Sequence, residues 1–172
     1  MPNTFIMITI ISGTNRPGSK TRQIAAHYQG ILNEKGIAHQ LLSLEMLDAV
    51  IRNDTVRELE DVFLKPADKF IFIIPEYNGS FPGVLKLLFD ITDIKSAWYY
   101  KKALLTGIAD GRAGNLRGLD HLTNVLNYLK VNVYFNKLPI SRINQETDEQ
   151  GNWLNTVTPV VIADQVEGFL DF

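Results

Sequence analysis

The chain has 172 residues, 45% of them hydrophobic, and a formal net charge of −2 at pH 7. This length suffices for one sizeable core, so we expect one domain over residues 1–172, and the scattered charges form no basic stripe that would bind nucleic acid. The sequence contains no cysteine, which excludes disulfides, thiolate metal ligands and a cysteine nucleophile. The absence of cysteine fits a reducing, cytoplasmic location. Redox chemistry in this protein would therefore need a bound cofactor.

The amino-terminal residues 1–13 predict a buried strand rather than a signal peptide. They carry no positively charged leading region, and their apolar run breaks at Ser12. No other stretch approaches the roughly 18 apolar residues of a membrane span. We therefore expect no membrane association and a small molecule as the partner.

Five apolar runs recur along the chain and predict five strands. Runs rich in isoleucine and phenylalanine, without polar alternation, are typical of strands buried on both faces of a parallel sheet. Helical spacing of apolar residues appears over residues 21–35, 116–130 and 158–172. Strands that alternate with helices predict a doubly wound α/β fold with a five-stranded parallel sheet and helices on both faces. The five runs are residues 5–11, 38–44, 70–75, 103–108 and 131–135.

A polar stretch, residues 139–155, precedes the last predicted helix. Its length and composition predict an exposed loop. This loop is either simply solvated or acts as a lid or an oligomer contact.

The loop after the first strand is rich in hydrogen-bond donors and leads directly into a helix. Successive backbone N–H groups, hydroxyls and the positive end of a helix together suit a phosphate dianion, and Arg16 would add a charge-assisted contact. A helix capped by Ser19 in a glycine turn is the alternative, but it leaves the density of donors unexplained. The hydroxyl-bearing residues of this loop are Ser12, Thr14, Ser19 and Thr21.

The same loop nearly matches the phosphate loop of nucleoside triphosphatases. Gly13 and Gly18 have the required spacing, but Ser19 stands where a lysine must reach the terminal phosphates, and Lys20 comes one residue later. A G-x-G-x-x-G dinucleotide pattern is also absent from the sequence. Hydrolysis of a phosphate chain is therefore disfavoured.

The segment after the third strand, residues 75–86, is the most specific signal in the chain. An aromatic residue, an amide, a glycine and two prolines at a strand end form a stiff wall with free N–H groups, which suits a flat heterocycle. Pro82 is placed to begin the next helix. The alternative is ordinary turn chemistry of Asn-Gly and Pro-Gly.

These two segments resemble the signatures of the NADPH-dependent FMN reductase family of flavodoxin-like proteins, which includes chromate-, azo-dye- and quinone-reducing relatives. The second signature, P-E-Y-N-x-S-x-P-G-x-L-K-N, is matched from Pro75 to Lys86, and Leu87 departs from it in a helix where mainly local packing is affected. The first signature, G-S-x-R-x-x-S-x-N, is matched with Thr21 in place of asparagine, which keeps a hydroxyl for the phosphate. The residues that stand in its other specified places are Gly13, Thr14, Arg16 and Ser19.

The resemblance implies bound FMN, with NADPH or NADH as co-substrate. It implies no catalytic side chain, because the flavin carries out hydride transfer and Asn78 and Gly79 position it. The loop after the fourth strand, residues 107–114, would border the other side of the isoalloxazine ring. The cofactor-binding residues implied are Ser12, Thr14, Arg16, Ser19, Lys20, Thr21, Pro75, Glu76, Tyr77, Asn78, Gly79, Ser80, Asp110 and Gly111.

The resemblance also implies a homodimer or homotetramer that reduces a small-molecule acceptor, namely a quinone, an azo compound, a metal oxyanion or free flavin. The alternative is a non-enzymatic, flavodoxin-like electron carrier or redox sensor that binds FMN. Carriers of that type are usually strongly acidic, which this chain is not. Arg112 would meet the phosphates of a nicotinamide dinucleotide or a partner subunit, or be solvated.

The remaining candidates are weaker. The three histidines have no metal-ligand spacing, so we expect surface or hydrogen-bonded histidines and no metal. Three consecutive aromatic residues before the fourth strand would reach a subunit interface or the mouth of the pocket, and core packing is the equal alternative. These residues are His27, His39 and His121, and Trp98, Tyr99 and Tyr100.

Overall fold

A parallel β-sheet forms the centre of the computed structural model, which describes residues 6–172. The strand order is β2-β1-β3-β4-β5, and β6 also pairs with β4. Every pairing is parallel, as predicted, although Phe5 of the first predicted run lies outside the described residues. The strands are β1 (Ile8–Ser12), β2 (His39–Ser43), β3 (Lys69–Pro75), β4 (Lys102–Ile108), β5 (Asn132–Val133) and β6 (Leu138–Ile140).

The last strand is split in two, which the sequence did not predict. β5 pairs with the start of β4, and β6 pairs with its end. Between the two, Tyr134 is buried against Phe169 and Phe172, whereas Phe135 is exposed. The predicted strand over residues 131–135 is therefore confirmed only at Asn132 and Val133. The backbone N–H of Tyr134 still donates to the Ala103 carbonyl of β4 at 2.8 Å, and regular pairing with β4 resumes at Leu138.

Helices cover both faces of the sheet, and the predicted fold class is confirmed. A short 3₁₀ turn (Leu44–Met46) follows β2, and α2 continues into a π-helical turn (Glu60–Leu64). The three helices predicted from apolar spacing are present as α1, α5 and α7. The helices are α1 (Lys20–Glu34), α2 (Asp54–Leu59), α3 (Gly83–Ile91), α4 (Ile94–Ala97), α5 (Leu116–Tyr128), α6 (Ile143–Glu146) and α7 (Val157–Asp171).

Alternate residues of β3 enter two separate cores, as expected for a strand buried on both faces. Phe70 and Phe72 pack with α3 and α5 on one face, and Ile71 and Ile73 pack with α1 and α7 on the other. Trp98 belongs to the first core, where its ring lies 5.0 Å from that of Phe70. Core packing is therefore the correct interpretation of this tryptophan.

The chain order places a topological switch between β1 and β3. β1 connects to β2 on one side and β3 connects to β4 on the other, so the two connections leave these adjacent strands in opposite directions. Ligands of open α/β sheets bind in the crevice at such a point, outside the carboxyl ends of the strands. Across residues 6–172, no helix is long and apolar enough to cross a membrane.

Candidate functional site

A cleft of about 490 Å³ opens at the carboxyl ends of β1, β3 and β4. It lies where the strand order predicts a ligand site. Three loops and the first turn of α6 surround it. Its lining residues are Arg16, Pro17, Ser19, Lys20, Thr21, Pro75, Glu76, Tyr77, Asn78, Ile108, Ala109, Asp110, Ile143 and Asn144.

The loop after β1 presents the start of α1 to the cleft. Gly18 has a φ of 64°, a left-handed conformation that favours glycine, and it turns the chain into Ser19. Ser19 caps α1, since its side chain accepts a hydrogen bond from the backbone N–H of Arg22 at 3.3 Å. Within the described residues, the backbone N–H groups of Lys20 and Thr21 have no acceptor. They are the free donors of a helix N-terminus, and the helix dipole there favours an anion.

Arg16 and Tyr77 connect the first loop to the loop after β3. The Arg16 guanidinium lies over the Tyr77 ring, 4.1 Å from its centroid. The Tyr77 hydroxyl is 2.6 Å from Oγ1 of Thr14, which also accepts from the Arg16 backbone N–H at 3.3 Å. Two walls of the cleft are thereby fixed relative to one another.

The loop after β3 is a tight turn. Tyr77 and Ser80 exchange two backbone hydrogen bonds, of 2.8 and 3.1 Å. The residues between them, Asn78 and Gly79, both have left-handed φ values, 53° and 77°. Asn-Gly is one of the sequences that such a turn favours most strongly. The turn leaves Asn78 exposed at the edge of the cleft.

The loop after β4 packs very closely on its neighbours. A Cβ on Gly107 would lie against the carbonyl oxygen of Gly114 and 3.1 Å from Cβ of Asn115. Asn115 is buried in a left-handed conformation, and its Nδ2 donates to the Ile74 carbonyl at 3.1 Å. This loop is thus held against the end of β3, with Asp110 at the cleft.

The structure brings nine of the fourteen predicted cofactor residues to the cleft surface. The other five do not line it: Ser12 and Thr14 are buried beneath the first loop, while Gly79, Ser80 and Gly111 lie outside the lining. Within the described residues, the Ser12 hydroxyl has no hydrogen-bond partner. The nine residues at the cleft are Arg16, Ser19, Lys20, Thr21, Pro75, Glu76, Tyr77, Asn78 and Asp110.

Lys20 lies at the cleft, and its ammonium group contacts residues far outside the first loop. Nζ is 3.2 Å from Oγ1 of Thr147 and also donates to the carbonyl of Asp148. Both partners belong to the stretch predicted to be an exposed loop. That prediction is wrong for much of residues 139–155, because β6 and α6 occupy part of it and residues such as Ile143 and Gly151 are buried.

Sequence reasoning missed Ile143 and Asn144 as cleft residues. Nδ2 of Asn144 donates to Oδ1 of Asp110 at 2.6 Å, and the backbone N–H of Ile143 donates to the Ala109 carbonyl at 3.1 Å. The available signal was Ile143 itself, because an isoleucine within a polar stretch is commonly buried. The three histidines each have a hydrogen-bond partner, as predicted.

Known proteins match both the sequence and this architecture. Residues 6–145 match the family model of NADPH-dependent FMN reductases. The chain belongs to this family. An FMN reductase (NADPH) of Pseudomonas aeruginosa is 31% identical over 107 residues, which are 56% of this chain and 55% of that relative. The chain thus spans about half the length of the curated relatives it matches.

Solved structures of proteins with low sequence identity to this chain have the same fold. The flavoenzyme NAD(P)H:(acceptor) oxidoreductase FerB from Paracoccus denitrificans aligns with a TM-score of 0.80 at 22% identity, covering 96% of both chains. A flavodoxin from the domain Archaea aligns with a TM-score of 0.61 at 15% identity, covering 94% of this chain and 96% of that one. At these identities the likeness shows a flavodoxin-like fold alone.

Proposed function

We propose that this protein binds FMN in the cleft and is an NAD(P)H-dependent oxidoreductase that passes electrons to a small-molecule acceptor. The observation that carries the proposal is the pair of loops that face one another: free donors at the start of α1, and the Tyr77–Ser80 turn after β3. The family of the chain supports the same assignment.

The donors at the start of α1 fit the phosphate of FMN. Two backbone N–H groups, of Lys20 and Thr21, are free within the described residues, and the hydroxyl-bearing side chains of Ser19 and Thr21 line the same cleft. Arg16 adds a positive charge beside them. A dianion at this position would gain charge-assisted hydrogen bonds and the favourable end of the α1 dipole.

The rest of the cleft fits a flat heterocycle with polar edges. Pro75, Tyr77 and Ala109 contribute apolar surface, while Asn78 and Asp110 contribute polar groups at the margin. Bound FMN supplies the hydride-accepting chemistry, so the protein itself needs no acid or base side chain. Its own residues bind the phosphate and orient the ring: Asn78 positions the ring from the cleft surface, and Gly79 forms the turn that presents Asn78.

The acceptor in this proposal is a quinone, an azo compound, a metal oxyanion or free flavin. A cleft that is open on one side admits planar molecules of several kinds, and the fold by itself does not choose among them. The proposal includes NADPH or NADH as the donor, a homodimer or homotetramer, one domain and a cytoplasmic location.

Anaerobic reduction tests the proposal. The protein is loaded with FMN, NADPH and NADH are added in separate runs, and the absorbance of oxidised flavin is followed. Rapid bleaching is the expected result and identifies the preferred donor. Tight FMN binding without bleaching by either donor would refute the reductase and leave an electron carrier or redox sensor.

A further inference from the structure

One side of the cleft is formed by residues 143–153, here called the α6 wall. Ile143 and Asn144 line the cleft together with residues of the first loop and of the loop after β3. Two hydrogen bonds connect this end of the wall to the loop after β4, one to the Ala109 carbonyl and one to Asp110. The position of the α6 wall therefore determines how wide the cleft is at this side.

Three polar side chains of α1 fasten the α6 wall. Lys20, Gln23 and His27 lie at spacings of three and four residues, so they share one face of the helix. Lys20 reaches Thr147, as described above, and Nε2 of Gln23 donates to the Glu149 carbonyl at 2.9 Å. These partners are 126 or more residues away in the chain. The contacts are therefore tertiary, and they are separate from the helix's own hydrogen bonds.

His27 makes the most specific of these contacts. The Gly151 carbonyl only accepts, so Nε2 of His27 must donate in the 2.7 Å contact between them. The Trp153 indole only donates, so Nδ1 of His27 must accept from it at 3.1 Å. Both bonds together require a neutral imidazole with its proton on Nε2. The two rings also pack at 4.7 Å between centroids.

Gly151 allows the wall to approach α1 this closely. Its φ of 88° is disfavoured for other residues, and an added Cβ would lie 3.1 Å from Cβ of Gln23. The contact between the α6 wall and α1 therefore depends on the close approach at Gly151 and on the side-chain hydrogen bonds of Gln23 and His27. The His27 bonds include the one from the Trp153 indole.

We propose that Gln23 and His27 are positioning residues that hold the α6 wall against α1 and thereby set the size of the molecule admitted beside Ile143 and Asn144. The molecules concerned are the planar acceptors of the proposed oxidoreductase, so the kinetic part of this inference rests on the proposed function. Neither side chain lies among the phosphate-binding residues. His27 is about 10 Å along α1 from Lys20, at a rise of about 1.5 Å per residue.

The test compares four variants of the full chain. His27→Ala and Gln23→Ala remove the fastening contacts. His27→Gln is the conservative replacement, because its amide N–H can donate to the Gly151 carbonyl while its amide oxygen accepts from Trp153. Asn33→Ala is the matched control, an exposed position on α1 with no side-chain bond to the wall within the described residues.

The first readout needs no activity. The chain has two tryptophans, Trp98 in the core and Trp153 in the wall. In protein labelled with fluorotryptophan, Trp153→Phe identifies the Trp153 ¹⁹F resonance. We expect the Trp153 resonance to shift in His27→Ala and to return towards its original position in His27→Gln. The Trp98 resonance should stay unchanged in both variants. An unmoved Trp153 resonance in His27→Ala would overturn the fastening contact.

The second readout is acceptor selectivity in the FMN-loaded protein. The ratio of kcat/KM for methyl red to that for 1,4-benzoquinone should rise about tenfold in His27→Ala and Gln23→Ala, the effect of a modest gain in pocket room. His27→Gln should restore the ratio, and FMN affinity should not change in any variant. An unchanged ratio, or a parallel loss of FMN affinity, would overturn the positioning role. Absence of turnover in the wild type would instead refute the proposed function.

Discussion

The hydroxyl of Tyr77 lies 2.6 Å from Oγ1 of Thr14, and this contact joins the loop after β3 to the loop after β1. Tyr77→Phe deletes the hydrogen bond but keeps the ring under Arg16. We expect FMN binding to weaken by about 0.5–1.5 kcal/mol, the usual contribution of one hydrogen bond. Tyr77→Leu should cost about 0.5–1 kcal/mol more, because the cation–π contact is lost as well.

Titration of flavin fluorescence measures both effects. Tyr128→Phe is the control, since the Tyr128 side chain is 82% exposed on α5 and away from the cleft. Equal FMN affinities for Tyr77→Phe, Tyr77→Leu and the control would show that the contact between the two loops does not organise the site.

Arg16 is the expected charged partner of the phosphate. Arg16→Ala should weaken FMN binding by about 1.5–3 kcal/mol, the value for a lost charged hydrogen bond. Arg22→Ala removes the same charge from a neighbouring position that does not line the cleft, and it should leave the affinity nearly unchanged. Isothermal titration of both variants makes the comparison, and equal losses would indicate only a general effect of charge.

Alanine substitutions at Gly107 and at Gly30 should have opposite effects on the free energy of unfolding. A Cβ on Gly107 would press on the loop carbonyl of Gly114 and lie 3.1 Å from Cδ1 of Leu119, and such overpacking typically costs about 1–3 kcal/mol. A Cβ on Gly30, within α1, meets nothing within 4 Å, so alanine there should stabilise the protein by about 0.5–1 kcal/mol. Urea unfolding of the two variants measures the difference. A stabilising Gly107→Ala would contradict the tight packing of the β4 loop.

The buried carboxylate of Glu60 should make the free energy of unfolding depend on pH. Its buried carboxylate accepts from Arg52 at 2.8 and 2.7 Å and from the backbone N–H of Asp93 at 2.8 Å. Burial raises the pKa of Glu60, but these hydrogen bonds outweigh it and hold the pKa below its usual range. Because the folded-state pKa lies below the unfolded value, the stabilisation is complete above the unfolded pKa and is lost as the pH falls through the folded one.

Glu60→Gln should therefore cost about 1.5–3 kcal/mol at neutral pH. The difference in free energy of unfolding between wild type and variant should shrink as the pH falls below the usual carboxyl range, and urea unfolding at several pH values measures it. A difference that stays constant with pH would show that the Glu60 carboxylate does not contribute through its charge.

The strands and the place of the cleft could be predicted because their signals are local. After Lys69, β3 is an uninterrupted apolar run over residues 70–75, which is typical of strands buried on both faces. The carboxyl ends of parallel strands meet at one edge, so the loops at Ser19 and Tyr77 were expected to face one another, as the cleft lining shows.

The features that the sequence did not predict depend on contacts between distant parts of the chain. Lys20 sits among phosphate-binding residue types, but its partners Thr147 and Asp148 follow more than 120 residues later. The last strand is divided into β5 and β6, which pair with opposite ends of β4, and no local sequence pattern predicts this division. The role of Ile143 likewise depends on its bond to the loop after β4, which becomes visible only once the sheet has formed.

The most direct test of the phosphate-binding loop is to compare the affinities of the protein for FMN and for riboflavin, which has the same ring system and no phosphate. We predict that FMN binds about 100-fold more tightly or better, because the phosphate gains several charge-assisted hydrogen bonds at the start of α1. Arg16→Ala should narrow this difference, because riboflavin loses only the organising effect of the Arg16–Tyr77 contact, about 0.5–1 kcal/mol, whereas FMN also loses the charged partner of its phosphate. Equal dissociation constants for FMN and riboflavin in the wild type would contradict the account.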